Sequence, residues 1–447
     1  MIRWLWDNPV VTAVTSVLDR RIIETAVALY SVQAMNYILP LVTIPYLARV
    51  LGPGPWGELM FVMSIAAFVH MVINYSFELS ATRDVAQQRG DPDAISRTVA
   101  GVLGARLVLT VGILVVIGIA QLVSTTLADL GWLLWLGVYW FVAMGFHPFW
   151  FYLGIERVRA AVTIDVIIRA IAAGLVILLV NAPGDAWLVF TLQGTGTMLA
   201  MIVTTIMIYR HVPFRLPDLR LTIDTLKSGA GLFIFRASTG LYAMSNTIIL
   251  GFVSAPAAVA FYSAGERIQR ITTTVLQTIT NAMFPRASML AKSNPQQAAR
   301  LARVSTFTMF ALALVGVGIL YLLAPWIVLI ILGSGYEEVV PVLRILFLVV
   351  LLHSINIPIG HHWLIPNGYD GLLTKITATA GVIHIPVAIF LAMQYAHIGV
   401  AWALVGAEAI IMVLLIVIPL IKGIGPFRMP LRDSGTLTST PMESVNS

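Results

Sequence analysis

The runs GILVVIGIA at residues 112–120 and AIAAGLVILLV at 170–180 are apolar on every face. Strands of a membrane barrel alternate in polarity, so these runs read as helices surrounded by apolar material. Outward from them, apolar stretches recur at about 26–48, 57–80, 98–123, 131–154, 160–181, 185–208, 231–253, 257–284, 304–331, 341–363, 372–393 and 398–421. At roughly 20 residues per span, that pattern predicts about twelve transmembrane helices. Composition agrees: 59% of the 447 residues are apolar and 11% charged, with mean hydropathy +0.90. A soluble domain is about half apolar and a quarter charged. A water-soluble fold is excluded, and the expected class is all-α integral membrane with no sizeable soluble domain. The absence of Cys excludes disulfides, thiolate metal sites and cysteine nucleophiles.

The net charge of +6 is a topology signal. With the N-terminus inside, twenty of the 27 Lys and Arg fall in alternate loops and termini, six lie inside spans, and Arg49 alone lies on the other side. Juxtamembrane basic residues stay in the cytoplasm, so both termini are expected there, and no nucleic-acid partner is implied. Residues 1–25 read as a retained cytoplasmic segment: Asp7 and Asp19 interrupt a signal-peptide pattern, and Trp4, Val11, Val14 and Leu18 share one amphipathic face. The polar connection 211–230 divides an N-lobe, 26–210 with spans 1–6, from a C-lobe, 231–421 with spans 7–12. Leu51, Gly52 and Phe61 in the first and Leu250, Gly251 and Phe261 in the second hint at the internal duplication of transporters. The tail, 422–447, is rich in Ser, Thr, Pro and Gly and is expected to be disordered.

Outer loops of roughly 5–10 residues leave no place for an outer catalytic domain. A membrane-embedded glycan polymerase or ligase is therefore disfavoured, and no enzyme is expected. His353, His361, His362 and His384 lack any recognised ligand spacing, so neither a metal nor another cofactor is expected.

Charges within the spans carry the functional signal: Arg106, Arg169, Arg236, Arg267, Arg270 and Arg344. Each costs about 2.5–3.5 kcal/mol at a helix centre, so something must offset them. Arg344 is near enough to its span end to snorkel, whereas Arg106 and Arg169 lie about 13 Å deep at 1.5 Å per residue. In span eight, Ser263, Arg267, Arg270, Thr274, Gln277 and Asn281 recur at four, three, four, three and four residues, one continuous helical face. Lipid would not tolerate that stripe, so it is expected to line a polar cavity. Gln33 and Asn36 on span one, and His70, Asn74 and Glu78 on span two, are expected to add polar lining, and Pro40 with Pro45 to bend span one. Asp165 and Arg169 form an i,i+4 pair, either a structural neutralisation or part of the cavity. Glu408, mid-span in span twelve, is either a coupling site or a partner for an arginine. Every intramembrane base is Arg, whose planar fork suits phosphate, so the cavity is expected to take an anion.

LPLVTIPYLARVLGPGPWGELMF (39–61), NYSFELSATRDVAQQRGD (74–91), IILGFVSAPAAVAFYSAGERIQRI (248–271) and FPRAS (284–288) resemble the polysaccharide transporter family, the Wzx-type O-antigen and exopolysaccharide flippases. The resemblance runs along essentially the whole chain. It implies a V-shaped, two-lobed bundle of the multidrug, oligosaccharidyl-lipid and polysaccharide exporter superfamily working by alternating access. The implied cargo is a saccharide repeat unit on undecaprenyl diphosphate, turned across the bacterial cytoplasmic membrane among membrane lipids. Polymerase and chain-length proteins are the implied partners. Arg49 and Arg83 carry over from the motifs as gate or lobe-contact residues. Where the family commonly has an acidic residue and a Gly after span two, this chain has Asn74 and Ser76. Rival readings within the superfamily are a cation-coupled small-molecule exporter and a peptidoglycan-precursor flippase.

Overall fold

The computed structural model describes Leu39 and residues 42–428, with the side chains of 235–243 outside that description. The segment 1–25, Gln33, Asn36, Pro40, the Arg236 side chain and the tail beyond Arg428 therefore lie outside the described residues. Among those described there is helix and no strand. In chain order the helices are α1 Val42–Leu51, α2 Pro53–Asn74, α3 Phe77–Gln87, α4 Pro92–Val123, α5 Thr125–Asp129, α6 Trp132–Phe146 and α7 Phe149–Gly154. They continue as α8 Val158–Leu179, α9 Ala186–Ile208, α10 Leu219–Val253, α11 Pro256–Ser293, α12 Pro295–Ile331, α13 Val339–Pro358 and α14 Asp370–Ile421.

Eight helical stretches among the described residues are long and apolar enough to cross a membrane. The longest, α14 with 52 residues, breaks at Ala396 (φ 46°, ψ −128°). A Cβ at Gly399 would overlap the Leu391 carbonyl, so the chain doubles back there as two consecutive runs. Outward faces are apolar: Val111, Val115, Ile119 and Leu122 on α4 are all exposed, an apolar stripe that water would penalise and lipid does not.

Local chemistry sets the breaks. Gly52 (φ 70°) ends α1, and Pro53 opens α2, where its missing N–H is no loss. α2 stops at Tyr75 and Ser76, both left-handed (φ 44° and 64°). Ser76 is the position where the resembling family commonly has Gly, the residue that adopts this conformation without strain. Asp91 caps α4 by accepting from the Ala94 N–H at 2.9 Å. His147 and Pro148 separate α6 from α7, since Pro cannot continue the ladder.

Two boundaries differ from the sequence reading. Only the first part of the 211–230 connection is irregular, because α10 begins at Leu219. At the other end, the described chain continues past Lys422 to Arg428, and the Trp363 indole N–H donates to the Ile424 carbonyl at 2.7 Å.

The chain forms two compact units. One comprises residues up to Gly265 with Ala324–Val342 and Ile385–Ala401. Its core includes Phe77, Val85, Val99, Trp150, Phe151 and Tyr152. The other comprises Glu266–Leu323, Leu343–His384 and the chain from Trp402 on. Ala298, Ala302, Trp363, Leu364, Ile376 and Ile411 lie in its core, where alanines on α12 let the aromatic turn approach closely.

Candidate functional site

In the first unit, α2, α4, α6 and α8 bring His70, Arg106, His147, Asp165 and Arg169 near one another, while Glu78 on α3 is exposed. Asp165, buried on α8, accepts from Arg169 Nε at 3.0 Å and lies 3.4 Å from His147 Nε2. Arg106 on α4 is also buried. Its guanidinium donates to the carbonyls of Phe146 at 2.9 Å and His147 at 3.3 Å, where the α6 ladder ends, and lies 5.8 Å over the Phe77 ring. The last carbonyls of a helix lack intrahelical partners, so Arg106 closes the α6–α7 break. Glu78 is within electrostatic reach of both Arg106 and His70. The His70 ring packs on Phe141, centroids 6.5 Å apart. Asn74 is half-buried at the end of α2.

The polar face of α11 is graded. Ser263 is buried, Arg267 and Thr274 are half-buried, and Arg270, Gln277 and Asn281 are exposed. Arg270 donates to Glu266 Oε1 at 3.0 Å with its side chain 58% exposed. Thr274 and Thr278 hydrogen-bond the carbonyls four residues back, the pairing by which Thr is tolerated inside a helix.

Within the second unit, Glu408 is buried on the last run of α14. It accepts from Asn356 Nδ2 at 3.0 Å and lies 3.2 Å from His353 Nε2. His384 donates from Nδ1 to the Ala403 carbonyl, 3.3 Å away. His362 sits in a π-helical turn, Ile359–Leu364, against Ser305 Oγ at 2.9 Å and the Thr280 carbonyl at 3.2 Å. Among the described residues no cluster of three His, Cys, Asp or Glu could hold a metal. Arg344 reaches the Tyr321 carbonyl at 3.4 Å with its guanidinium 4.9 Å over that ring.

Arg49 donates to the Ile330 carbonyl, while Arg83 is exposed and pairs with its neighbour Asp84 at 3.1 Å. Sequence reasoning missed His147 and Asn356 as site residues, and read His353 only as a metal candidate. Each is an ordinary polar residue in an apolar run, and its partner lies on a distant helix.

The family described as "Polysaccharide biosynthesis protein" matches residues 22–291. Two curated relatives are both named "Putative O-antigen transporter". That of Escherichia coli (strain K12) is 27% identical over 402 residues, 88% of this chain and 94% of the relative. That of Shigella dysenteriae is 23% identical over 393 residues, 87% and 97%. Among solved structures, "Lipid II flippase MurJ, inward closed conformation" superposes with TM-score 0.67 at 14% identity, covering 91% of this chain and 88% of that one. An inward-facing multidrug resistance MATE family transporter of the MOP superfamily gives 0.59 at 15% identity, covering 84% and 93%. At such identities the two structures establish the fold alone, a multi-pass helical membrane architecture.

Proposed function

Because the chain belongs to the polysaccharide biosynthesis protein family, we propose that it is a flippase for undecaprenyl-diphosphate-linked oligosaccharide repeat units, serving O-antigen, capsule or exopolysaccharide synthesis. It works in the bacterial cytoplasmic membrane with both termini inside. Its two six-helix lobes alternate access, and its product passes to polymerase and chain-length proteins.

The observation that carries this reading is the α11 face with Arg267 and Arg270. A diphosphate presents several oxygens to planar donors, and charge-assisted bidentate contacts are the strong ones. Arg presents its N–H donors in a planar fork, the geometry that two phosphate oxygens match. Glu266 makes the site adjustable: it keeps Arg270 extended and partly neutralised when no anion is present. The lipid tail remains among the bilayer lipids, which the apolar outer faces suit. Arg106, by contrast, acts as a strut for the α6–α7 break, and Arg169 acts through Asp165.

The test is the pair Arg267→Ala with Arg270→Ala in a strain dependent on this protein. Polymer output is expected to be lost with membrane insertion unchanged. A polyprenyl-diphosphate saccharide should accumulate out of reach of a membrane-impermeant sugar-reactive probe, its mass naming the cargo. Normal polymer output would remove the Arg face from the mechanism. Accumulation fully labelled from outside would place the lost step after translocation.

A further inference from the structure

In the first compact unit the C-terminal ends of α1 and α12, the start of α13 and the break in α14 lie among a set of mutual contacts. Tyr336, in the turn between α12 and α13, is buried, and its hydroxyl donates to the Ala48 carbonyl at 2.8 Å. Arg49 donates to the Ile330 carbonyl on the last turn of α12. Its side chain lies against Gly333 (φ +88°), whose absent Cβ would stand 3.2 Å from Arg49 Cγ. Phe261 on α11 makes edge contacts with Tyr336, centroids 6.2 Å apart, and with His397, 5.4 Å apart. Opposite His397, at 3.7 Å, lies Glu338.

The pieces that make these ties, Ala324–Val342 and Ile385–Ala401, group with the first unit although the helices they terminate continue into the second. Two of the four points where the chain leaves these pieces carry a proline inside a helix. Pro325 follows the Leu323–Ala324 boundary, and Pro386 follows His384–Ile385. Proline removes the bond to the carbonyl four residues back, and helices bend where that ladder is interrupted. At Pro325 that carbonyl belongs to Tyr321, the one Arg344 approaches at 3.4 Å. The freed acceptor has a donor on the neighbouring helix, so flexing there does not strand it.

We propose that Ala324–Val342 and Ile385–Ala401 form a proline-hinged clasp. It is locked onto α1 by the Arg49–Ile330 and Tyr336–Ala48 hydrogen bonds, and it must let go in each transport cycle. The Arg49 side chain is the lock, Gly333 the seat that admits it, and Tyr336 the second bolt. This rests on the alternating-access reading, but its test does not require the cargo.

The chain has no cysteine, so a single reporter is clean. Ala48→Cys lies under the clasp at 0% exposure. Intact cells are treated with a membrane-impermeant thiol reagent. Ala48→Cys is expected to react slowly, and about tenfold faster with either Arg49→Gln or Tyr336→Phe, each of which removes one hydrogen bond. Tyr336→Phe keeps the ring against Phe261, so it remains informative if Arg49→Gln fails to fold. Equal rates in all three backgrounds would overturn the clasp, as would rapid labelling of the parent. In a second arm, Ala48→Cys with Tyr336→Cys is bridged by a short reducible bifunctional reagent. Export should stop on bridging and resume on reduction; undiminished export by the bridged protein would refute the requirement for release. Slow parental labelling that both variants accelerate, in a protein later shown to carry another cargo, leaves the clasp standing and refutes only the substrate.

Discussion

Replacing Arg169 and Asp165 singly and together asks whether their pair is a strut or a transport element, and the burial of the two groups sets the size of each effect. Asp165 has a side chain 8% exposed, that of Arg169 is 24% exposed, and the oxygen that holds Arg169 Nε at 3.0 Å also lies 3.4 Å from His147 Nε2. In Arg169→Gln the carboxylate stays buried with His147 as its described neighbour. Removing one member of a buried pair costs about 3–5 kcal/mol, and the histidine returns part of it, so about 3 kcal/mol is expected. In Asp165→Asn the stranded guanidinium is on a long side chain that is already a quarter exposed and can move its charge toward water. The cost there is about 1 kcal/mol. The double variant has no stranded charge and should lose about 1 kcal/mol or less, which leaves a coupling energy of roughly 3 kcal/mol, large against the few tenths seen for independent sites. Equilibrium unfolding of the purified protein in mixed micelles would measure all four corners of the cycle. Additive losses, or Asp165→Asn costing more than Arg169→Gln, would refute the reasoning. Polymer output from the stable double variant then separates the roles: restored export makes the pair a strut, and absent export in a folded protein makes it part of transport.

Gly57 on α2 faces the backbone of Pro256, and a Cβ there would overlap its carbonyl oxygen; overpacking costs typically 1–3 kcal/mol, so Gly57→Ala is expected to lower the yield of folded protein and its unfolding midpoint, and an unchanged midpoint would contradict the close approach. A pH dependence is expected from His397, in the turn between the two runs of α14. Burial pushes its imidazole below the ordinary 6.5, with Glu338 opposing. A histidine with a lowered value in the closed clasp favours closure fully above pH 6.5 and loses that preference as pH falls below it, because the open form takes the proton first. Labelling of Ala48→Cys, normalised to an exposed cysteine, should therefore quicken as pH drops from 7.5 to 5.5. His397→Gln should flatten that slope, and a slope unchanged in this variant would assign the effect elsewhere. Loss of export with Arg267→Ala and Arg270→Ala, and faster labelling with Arg49→Gln or Tyr336→Phe, complete the set.

Fold class follows from the sequence, as do the approximate positions of the eight long apolar helical stretches among the described residues, because apolar runs of about 20 residues have one favourable destination and period 3.6 is a local property. The sequence also determined the pairs that lie four apart on one helix: Asp165 with Arg169 was legible, and the α11 polar face could be read from spacing alone. Family membership was legible too, in the 39–61 and 74–91 motifs. Which groups each buried charge meets is visible only in the folded chain. Spacing marks Arg106 as a cavity candidate, and the folded chain gives it the carbonyls of the α6–α7 break, 40 and 41 residues away. Glu408 and Asn356 meet across 52 residues, and Tyr336 and Ala48 across 288. Such partners are chosen by how helices pack, and packing sums many weak contacts that no single stretch of chain contains. Pro325 and Pro386 show the same division: both are visible as residues, but their place beside the Leu323–Ala324 and His384–Ile385 boundaries follows only from the compact units.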